Sequence, residues 1–259
     1  MLMRPYSADI CWICAQGGVM SREHKFKASD LRRHFGKAGM VVGRTGRDGK
    51  LRSAQGIRSK RLMFESPICH RCNSVVTQAA DRAYDRFIAR LENLHQQGND
   101  LASLTEEESY GAGAEDKLAV RRYYAKILGC HLADFRAPIP LRLAEFVVGR
   151  TDDACIELRI RSDPDYKAYA ASHSSLLVQH AEHGGLAVIG DSTSLAPTRF
   201  HSTSAIGPVQ AIFWLRLQEQ EVVELRNHHA VFYMRCAEQI KCAIHEPIPI
   251  KELEQLGLA

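Results

Sequence analysis

The fold is decided by two short segments, Cys11-Trp-Ile-Cys14 and Cys69-His-Arg-Cys-Asn73, which enclose a third, Arg22-Glu-His-Lys25. Two Cys-x-x-Cys turns that meet in space supply the four soft ligands of a tetrahedral zinc ion. A thioredoxin-like redox pair would instead need a single such motif that opens a helix. We therefore predict a structural Zn²⁺ site, with ligands Cys11, Cys14, Cys69 and Cys72.

The position of the zinc ligands predicts a second group of functional residues. When all four cysteines bind one ion, the second cysteine pair lies beside the first, and this brings Asn73 towards Glu23 and His24. Four thiolates leave no open position on zinc, so this ion is not expected to catalyse. A carboxylate and an amide oxygen are hard ligands, which suit Mg²⁺ or Mn²⁺. A neutral imidazole can take a proton from water near neutral pH. Glu23, His24 and Asn73 are therefore candidate catalytic residues.

The pattern Cys-x-x-Cys, Arg-Glu-His-Lys and Cys-x-x-Cys-Asn, followed by a helix, resembles the HNH endonucleases, the ββα-metal or His-Me finger group. The four-cysteine variant is similar to the centre of recombination endonuclease VII, and the resemblance covers about residues 8–92. It implies that His24 is the general base and that Glu23 and Asn73 bind a catalytic divalent ion. The family usually has an Asn a few residues before the second cysteine pair. This chain has none between Ser59 and Ile68, where Ser59 or Ser66 are the candidates to replace it.

The resemblance implies a metal-dependent endonuclease that hydrolyses phosphodiester bonds of DNA, most simply double-stranded, and leaves 5′-phosphate and 3′-hydroxyl ends. Family analogy adds a role as a bacterial restriction or anti-phage effector. Two other interpretations stay open. One is a catalytically silent zinc module that binds nucleic acid. The other is the same fold acting on RNA, branched DNA, another polyanion or a protein partner.

The charge of the chain is strongly asymmetric. Residues 1–90 hold 18 Lys and Arg against 7 Asp and Glu, whereas the remaining residues hold 16 against 23. Arginine is the better phosphate ligand, so this first part is expected to contact a polyanion, although a solvated basic face would look the same. The candidate nucleic-acid contacts are Arg44, Arg47, Lys50, Arg52, Arg58, Arg61 and Arg82.

The composition indicates a protein without a membrane span, since no apolar run approaches the ~20 residues that a span requires. The first residues carry no apolar signal core, so we expect a cytoplasmic protein. The other four cysteines lie among apolar residues and are expected to be reduced and buried: Cys130, Cys155, Cys236 and Cys242.

We predict an α+β chain of two domains: a zinc-stapled ββα-metal (HNH) domain over residues 1–94, a linker over 95–113, and an α+β accessory domain with a mostly antiparallel sheet over 114–259. The accessory domain is a candidate site for a homodimer contact or a regulatory partner. Helices are predicted over residues 27–36, 77–94 and 114–132, and a basic ribbon over 41–52. One apolar face is predicted for the second helix: Ala80, Ala83, Tyr84, Phe87, Ile88 and Leu91.

The accessory part shows mixed periodicity. Alternation over residues 155–161 predicts a half-buried strand. Short apolar runs predict further strands over 186–189, 209–217, 222–226 and 230–236, the last two as a hairpin. A helix is predicted to begin at Asp163-Pro164 and to end at Gly184-Gly185.

Overall fold

The computed structural model describes residues 1–36, 40–42, 52–54, 56–111, 114–166, 168 and 181–245. They form a mixed α/β structure with antiparallel sheets and a cluster of four cysteines. This confirms the predicted α+β class at the level of mixed elements and antiparallel pairing.

The first part of the chain is built on a two-stranded antiparallel sheet followed by a long helix. In this sheet β2 pairs with β5, and a second ladder joins β3 to β4. The elements are β1 (Met3–Arg4), β2 (Met20–His24), α1 (Ala28–Phe35), β3 (Met40–Val42), β4 (Arg52–Ala54), β5 (Met63–Cys69), α2 (Gln78–Gln96), α3 (Glu106–Tyr110) and α4 (Ala114–Asp134).

Helix α2 forms over the residues for which the apolar periodicity predicts a helix. Its buried residues are the six of the predicted face: Ala80, Ala83, Tyr84, Phe87, Ile88 and Leu91. A helix buries such a stripe because residues three and four apart lie on one side. Helix α1 ends, as predicted, at Gly36, whose φ of 59° lies in the left-handed region that glycine tolerates.

The second part contains the largest sheet of the described residues. Its strands run in the order β7-β11-β10-β8, all antiparallel, and β9 pairs with the other end of β10. Its elements are β6 (Ile139–Pro140), α5 (Leu141–Val147), β7 (Ile156–Ser162), β8 (Ala181–His183), β9 (Ala187–Gly190), β10 (Pro197–Ile206), β11 (Val209–Arg216), α6 (Glu219–His228) and α7 (Ala230–His245).

Helix α4 is the centre of the molecule. It is buried around most of its circumference, and it packs on α2 and on the large sheet. The Tyr84 ring of α2 stacks on Tyr123 of α4 with centroids 3.8 Å apart, and Tyr124 lies 5.1 Å from Phe213 of β11. One buried cluster therefore extends from the cysteines to α7. The division of the chain at residues 95–113 stays a prediction, and the buried core crosses it.

Two strands predicted near the C-terminal end are wrong, because residues 222–226 and 230–236 lie in helices α6 and α7. Valine and aromatic residues in short runs favour strands locally. Here a capping box overrides that preference: the Gln218 and Glu221 side chains each bond the other's backbone N–H at the start of α6.

The prediction for residues 163–185 is also wrong at its end. A helix does begin at Pro164, but Ala181–His183 form strand β8 rather than a helix end. Strand β10 was not predicted, because its central residues are polar and show no apolar alternation: His201, Ser202, Thr203 and Ser204.

Candidate functional site

The four predicted zinc ligands converge. Cys11 and Cys14 lie in the loop between β1 and β2, Cys69 ends β5, and Cys72 opens the irregular turn that leads into α2. All four Sγ atoms lie within 4.8 Å of one another, and none is in a disulfide. The Cys14 and Cys69 sulfurs are 3.7 Å apart. A tetrahedron with ~2.3 Å Zn–S bonds has an edge of about 3.8 Å, so the sulfurs fit zinc.

The local backbone explains why the cysteines point to one place. The Ala15 N–H donates to the Cys11 carbonyl at 2.9 Å, and Ala15 has a φ of 59°, which tightens the first turn. In the second turn the Cys72 N–H donates to Cys69 Sγ at 3.3 Å. The hydrogen bond between Cys11 and Cys72 lowers the pKa of Cys11 and raises the pKa of Cys72. Cysteines bind metal as thiolates, and four sulfurs that converge in this way could hold an ion such as zinc.

The same four-cysteine cluster holds together the paired strands β2 and β5. Met20 of β2 pairs with Cys69 of β5, and the register is regular up to Arg22 opposite Pro67. Beyond that pair the register is irregular, and His24 comes to lie opposite Met63. An irregular register, as at a β-bulge, changes the direction of the side chains next to it. The irregularity lies between Arg22 and His24, beside the two candidate catalytic residues of the strand, Glu23 and His24.

His24 is held by a backbone group rather than by a side chain. Its Nε2 atom lies 3.1 Å from the carbonyl oxygen of Ile57, so this nitrogen is the N–H donor of a neutral ring. Burial lowers the pKa of His24. The ring is then neutral at neutral pH, which makes Nδ1 its basic nitrogen. Neither Ser59 nor Ser66 makes a described contact with the ring, and the Ile57 carbonyl is the group that orients it.

Asn73 ties the start of α2 to β2. Its Nδ2 atom donates to Ser21 Oγ at 3.2 Å and to the Arg22 carbonyl at 3.3 Å. The amide nitrogen is thus used in holding the strand, whereas no described hydrogen bond involves its Oδ1 atom. Asn73 is half-buried and contacts the residue that precedes Glu23.

The Glu23 side chain turns into the protein. It is 8% exposed, and its Oε2 lies 3.3 Å from Lys126 Nζ of α4, which also contacts Asp81 of α2 at 2.7 Å. Burial raises the pKa of Glu23, and the Lys126 charge opposes that effect. Among the described residues, the four cysteines are the one converging group of three or more His, Cys, Asp or Glu ligands. In this arrangement Glu23 and Asn73 do not fit a divalent ion.

The candidate nucleic-acid contacts are described in part. Arg58 and Arg61 are exposed on the segment that also carries Ile57, and Arg82 is exposed on α2, where it bonds to Gln78. Arg52 lies in β4, and its side chain is outside the described residues. Three further predicted contacts are outside them altogether: Arg44, Arg47 and Lys50.

Lys126 is the residue of this site that sequence reasoning missed. The available signal is its position as a lone cation within the apolar run Tyr123–Leu132 of α4. Lysine is almost never fully buried unless it is paired, so a Lys in such a run indicates an anionic partner elsewhere in the chain.

None of the helices among the described residues is long and apolar enough to cross a membrane. No family model, curated protein or solved structure matches this chain.

Proposed function

We propose that the protein is a zinc-stapled endonuclease that hydrolyses phosphodiester bonds of DNA in the presence of Mg²⁺ or Mn²⁺. The observation that carries the proposal is the neutral imidazole of His24, which the Ile57 carbonyl orients. His24 lies on β2, and the four cysteines hold the paired strands β2 and β5 beside the start of α2. The order of the motifs in the sequence, which resembles the HNH endonucleases, supports the same conclusion.

The proposed chemistry begins at His24. With Nε2–H bonded to the Ile57 carbonyl, Nδ1 is the basic atom of the ring. It takes a proton from a water molecule, whose oxygen attacks phosphorus and displaces the 3′ oxygen. The leaving oxygen takes a proton from solvent, which gives 5′-phosphate and 3′-hydroxyl ends. The zinc ion has no part in this step, because four thiolates would saturate it.

A second candidate is a silent zinc module that binds nucleic acid without cutting it. The specific observation in its favour is Glu23, whose carboxylate contacts Lys126 instead of facing Asn73. This interpretation predicts a salt-sensitive gel shift and no cleavage, since phosphate contacts weaken as salt rises.

The test is a cleavage assay with zinc-loaded protein on supercoiled plasmid, linear duplex, branched DNA and RNA, with Mg²⁺ or Mn²⁺. His24→Ala is the critical variant. His70→Ala is the matched control, because His70 is an exposed histidine between two zinc ligands of the same hairpin. We expect cleavage by the wild type and by His70→Ala, and at least about a hundredfold less by His24→Ala. Equal cleavage by all three, or none by the wild type with either metal, would overturn the proposal.

A further inference from the structure

A small apolar cluster lies beside His24, and its buried members are not part of the main buried cluster. These members are Leu31 of α1, which is 1% exposed, and Leu62, which is 2% exposed. Three half-buried side chains pack against them: Phe26, Phe35 and Ile57. The residue whose carbonyl orients His24 therefore has its own side chain in this small cluster.

Residues 57–62 contact the end of β2 through two backbone carbonyls. The Ile57 carbonyl oxygen lies 3.1 Å from His24 Nε2. At the other end of the segment, the Leu62 carbonyl accepts the Lys25 N–H at 2.8 Å. The register of β2 with β5 is irregular just before His24, so strand pairing alone defines the direction of the ring less strictly. The position of residues 57–62 therefore determines how the imidazole is held.

Helix α1 is fixed on α2 by a buried polar contact. The Tyr84 hydroxyl of α2 donates to Asp30 Oδ2 at 2.7 Å, and both residues are buried. Successive residues of a helix point about 100° apart, so Leu31 faces a different neighbour from Asp30. That neighbour is the 57–62 segment, through the apolar cluster. Helix α1 therefore connects α2 to the segment that orients His24.

We propose that Leu31 is a positioning residue for His24: together with Leu62 it holds the Ile57 side chain, and so keeps the Ile57 carbonyl on the imidazole. The ring is then presented with its Nε2–H bonded and with Nδ1 as its basic atom. Apolar side chains suit this role, because close packing allows few alternative positions. The inference rests on the proposed function in taking His24 as the general base, whereas the hydrogen bond is measured without substrate.

Leu31→Ala tests this role by removing the centre of the small cluster. Residues 57–62 should then open locally more often, and the His24 Nε2–H should be released to water more often. Leu225→Ala is the matched control, because Leu225 of α6 is fully buried in the main cluster. Leu31→Met keeps most of the side-chain volume and should behave like the wild type.

The measurement is the exchange of the His24 Nε2–H proton with water, followed by nuclear magnetic resonance on zinc-loaded protein at neutral pH. The signal is assigned by its loss in His24→Ala. We expect exchange at least about tenfold faster than in the wild type for Leu31→Ala, and within about threefold of the wild type for Leu225→Ala. Urea denaturation of both variants separates this effect from a general loss of stability. Equal exchange rates in Leu31→Ala and Leu225→Ala would overturn the inference.

Ile57→Ala provides a second variant if Leu31→Ala does not fold. It leaves the backbone carbonyl in place and removes only the half-buried side chain that packs in the cluster. The same faster exchange is expected, and Ile57→Leu should restore the wild-type rate. An unchanged rate in a folded Ile57→Ala protein counts against the positioning role.

Cleavage kinetics give a second readout. In Leu31→Ala, kcat should fall at least about tenfold while KM stays within about threefold, because a misplaced base slows the chemical step without weakening substrate binding. Failure of the proposed function is distinguishable. Faster exchange in Leu31→Ala without any cleavage by the wild type leaves the positioning role standing and removes the nuclease. Cleavage by the wild type with unchanged exchange in Leu31→Ala does the reverse.

Discussion

The indole of Trp12 lies directly against Gly129 of α4. A methyl group added at Gly129 would lie 2.2 Å from the ring, which is far inside van der Waals contact. Trp12 directly follows Cys11, the first residue of the four-cysteine cluster, and it is buried. The loop that carries Cys11 and Cys14 is therefore fitted to α4 by the absence of a side chain on that helix.

Gly129→Ala should destabilise the protein, although alanine normally stabilises a helix interior by about 1 kcal/mol relative to glycine. Overpacking against Trp12 should outweigh that gain and lower the free energy of unfolding by about 1–3 kcal/mol. Urea denaturation of zinc-loaded protein measures the change. Gly129→Ala combined with Trp12→Leu should recover part of the loss relative to Trp12→Leu alone, because the smaller ring-free side chain leaves room for the methyl group. A stabilised single variant would contradict the packing argument.

Cys72→Ser should abolish the binding of one zinc ion per chain and destabilise the pairing of strands β2 and β5. Zinc binding contributes to folding free energy, so we expect a loss of about 3 kcal/mol or more. Metal analysis of the purified protein and thermal unfolding check both effects. Cys242→Ser is the matched control, because Cys242 lies outside the cluster and is exposed on α7, so the expectation that it is buried was wrong. Full zinc content in Cys72→Ser would remove Cys72 from the site.

The convergence of the four cysteines could be predicted from sequence, because four potential ligands at two fixed spacings leave little choice of partner. Helix α2 was predictable for a similar reason, since its buried face repeats at helical spacing over several turns. The orientation of Glu23 could not be predicted. It depends on Lys126, which lies about a hundred residues away in the chain and whose place in an apolar run indicates an anionic partner without indicating which one. Ile57 was equally hidden, because any residue type could supply its carbonyl.

The stacked pair His131 and His183 should make the protein less stable in acid. Their ring centroids are 4.6 Å apart, and His131 Nε2 contacts Ser202 Oγ at 3.0 Å. Burial lowers the pKa of His183 to about 3 and that of His131 well below its usual value, and the nearby Lys25 charge adds to both effects. The folded protein therefore keeps both rings neutral while the unfolded chain takes up protons below a pKa of about 6.5.

The contribution of these neutral rings to the free energy of unfolding is fully present above about pH 6.5. As the pH falls from there towards the pKa values of the folded protein, each histidine lowers the free energy of unfolding by about 1.4 kcal/mol per pH unit. Urea denaturation at about pH 7 and about pH 5.5 measures that slope. His183→Leu should reduce this slope by the contribution of one histidine. His228→Ala, at the exposed end of α6, should leave it unchanged. An unaltered slope in His183→Leu would contradict the assignment.

The ion pair between Arg142 of α5 and Glu221 of α6 should matter much more than a surface pair. Its two contacts are 2.7 Å and 2.9 Å, and the Glu221 side chain is 2% exposed. Arg142→Met leaves a buried carboxylate unpaired, which costs about 3–5 kcal/mol.

The exposed pair between Arg216 and Glu157 is the matched control. Arg216→Met should cost no more than about 1 kcal/mol, because water screens both charges. Thermal or urea unfolding compares the two variants. Equal losses of stability in the two variants would show that the burial of Glu221 does not determine how much its ion pair stabilises the protein.

The exposed arginines beside Ile57 should contribute to nucleic-acid affinity if the proposed function holds. Arg58→Ala and Arg61→Ala should each weaken binding on unrelated sequences alike, and each should reduce the slope of log affinity against log salt by about 1. Fluorescence anisotropy across a salt series gives this slope. Arg226→Ala, exposed on α6, should leave the slope unchanged. Wild-type slopes in both test variants would exclude these two residues from the interface.

The strand errors have a physical origin as well. Residues 222–226 and 230–236 contain β-branched and aromatic side chains that favour strands when read in short windows. Their helical state depends on Phe232 and Cys236, which are buried together on one side of α7 in the cluster that also holds Leu225 of α6. Strand β10 shows the converse case, since buried polar residues pair with β11 without the apolar alternation that would have revealed it.

The position of Lys126 in the chain also gives the order in which the parts become available during synthesis. The four cysteines are all synthesised before Lys126, so metal can hold strands β2 and β5 together while α4 is still being made, in keeping with the tendency of N-terminal segments to fold first. At that moment Glu23 has no Lys126 to face and Trp12 has no Gly129 to lie against. The strands that carry the cysteines are therefore made before the helix against which Trp12 and Glu23 pack.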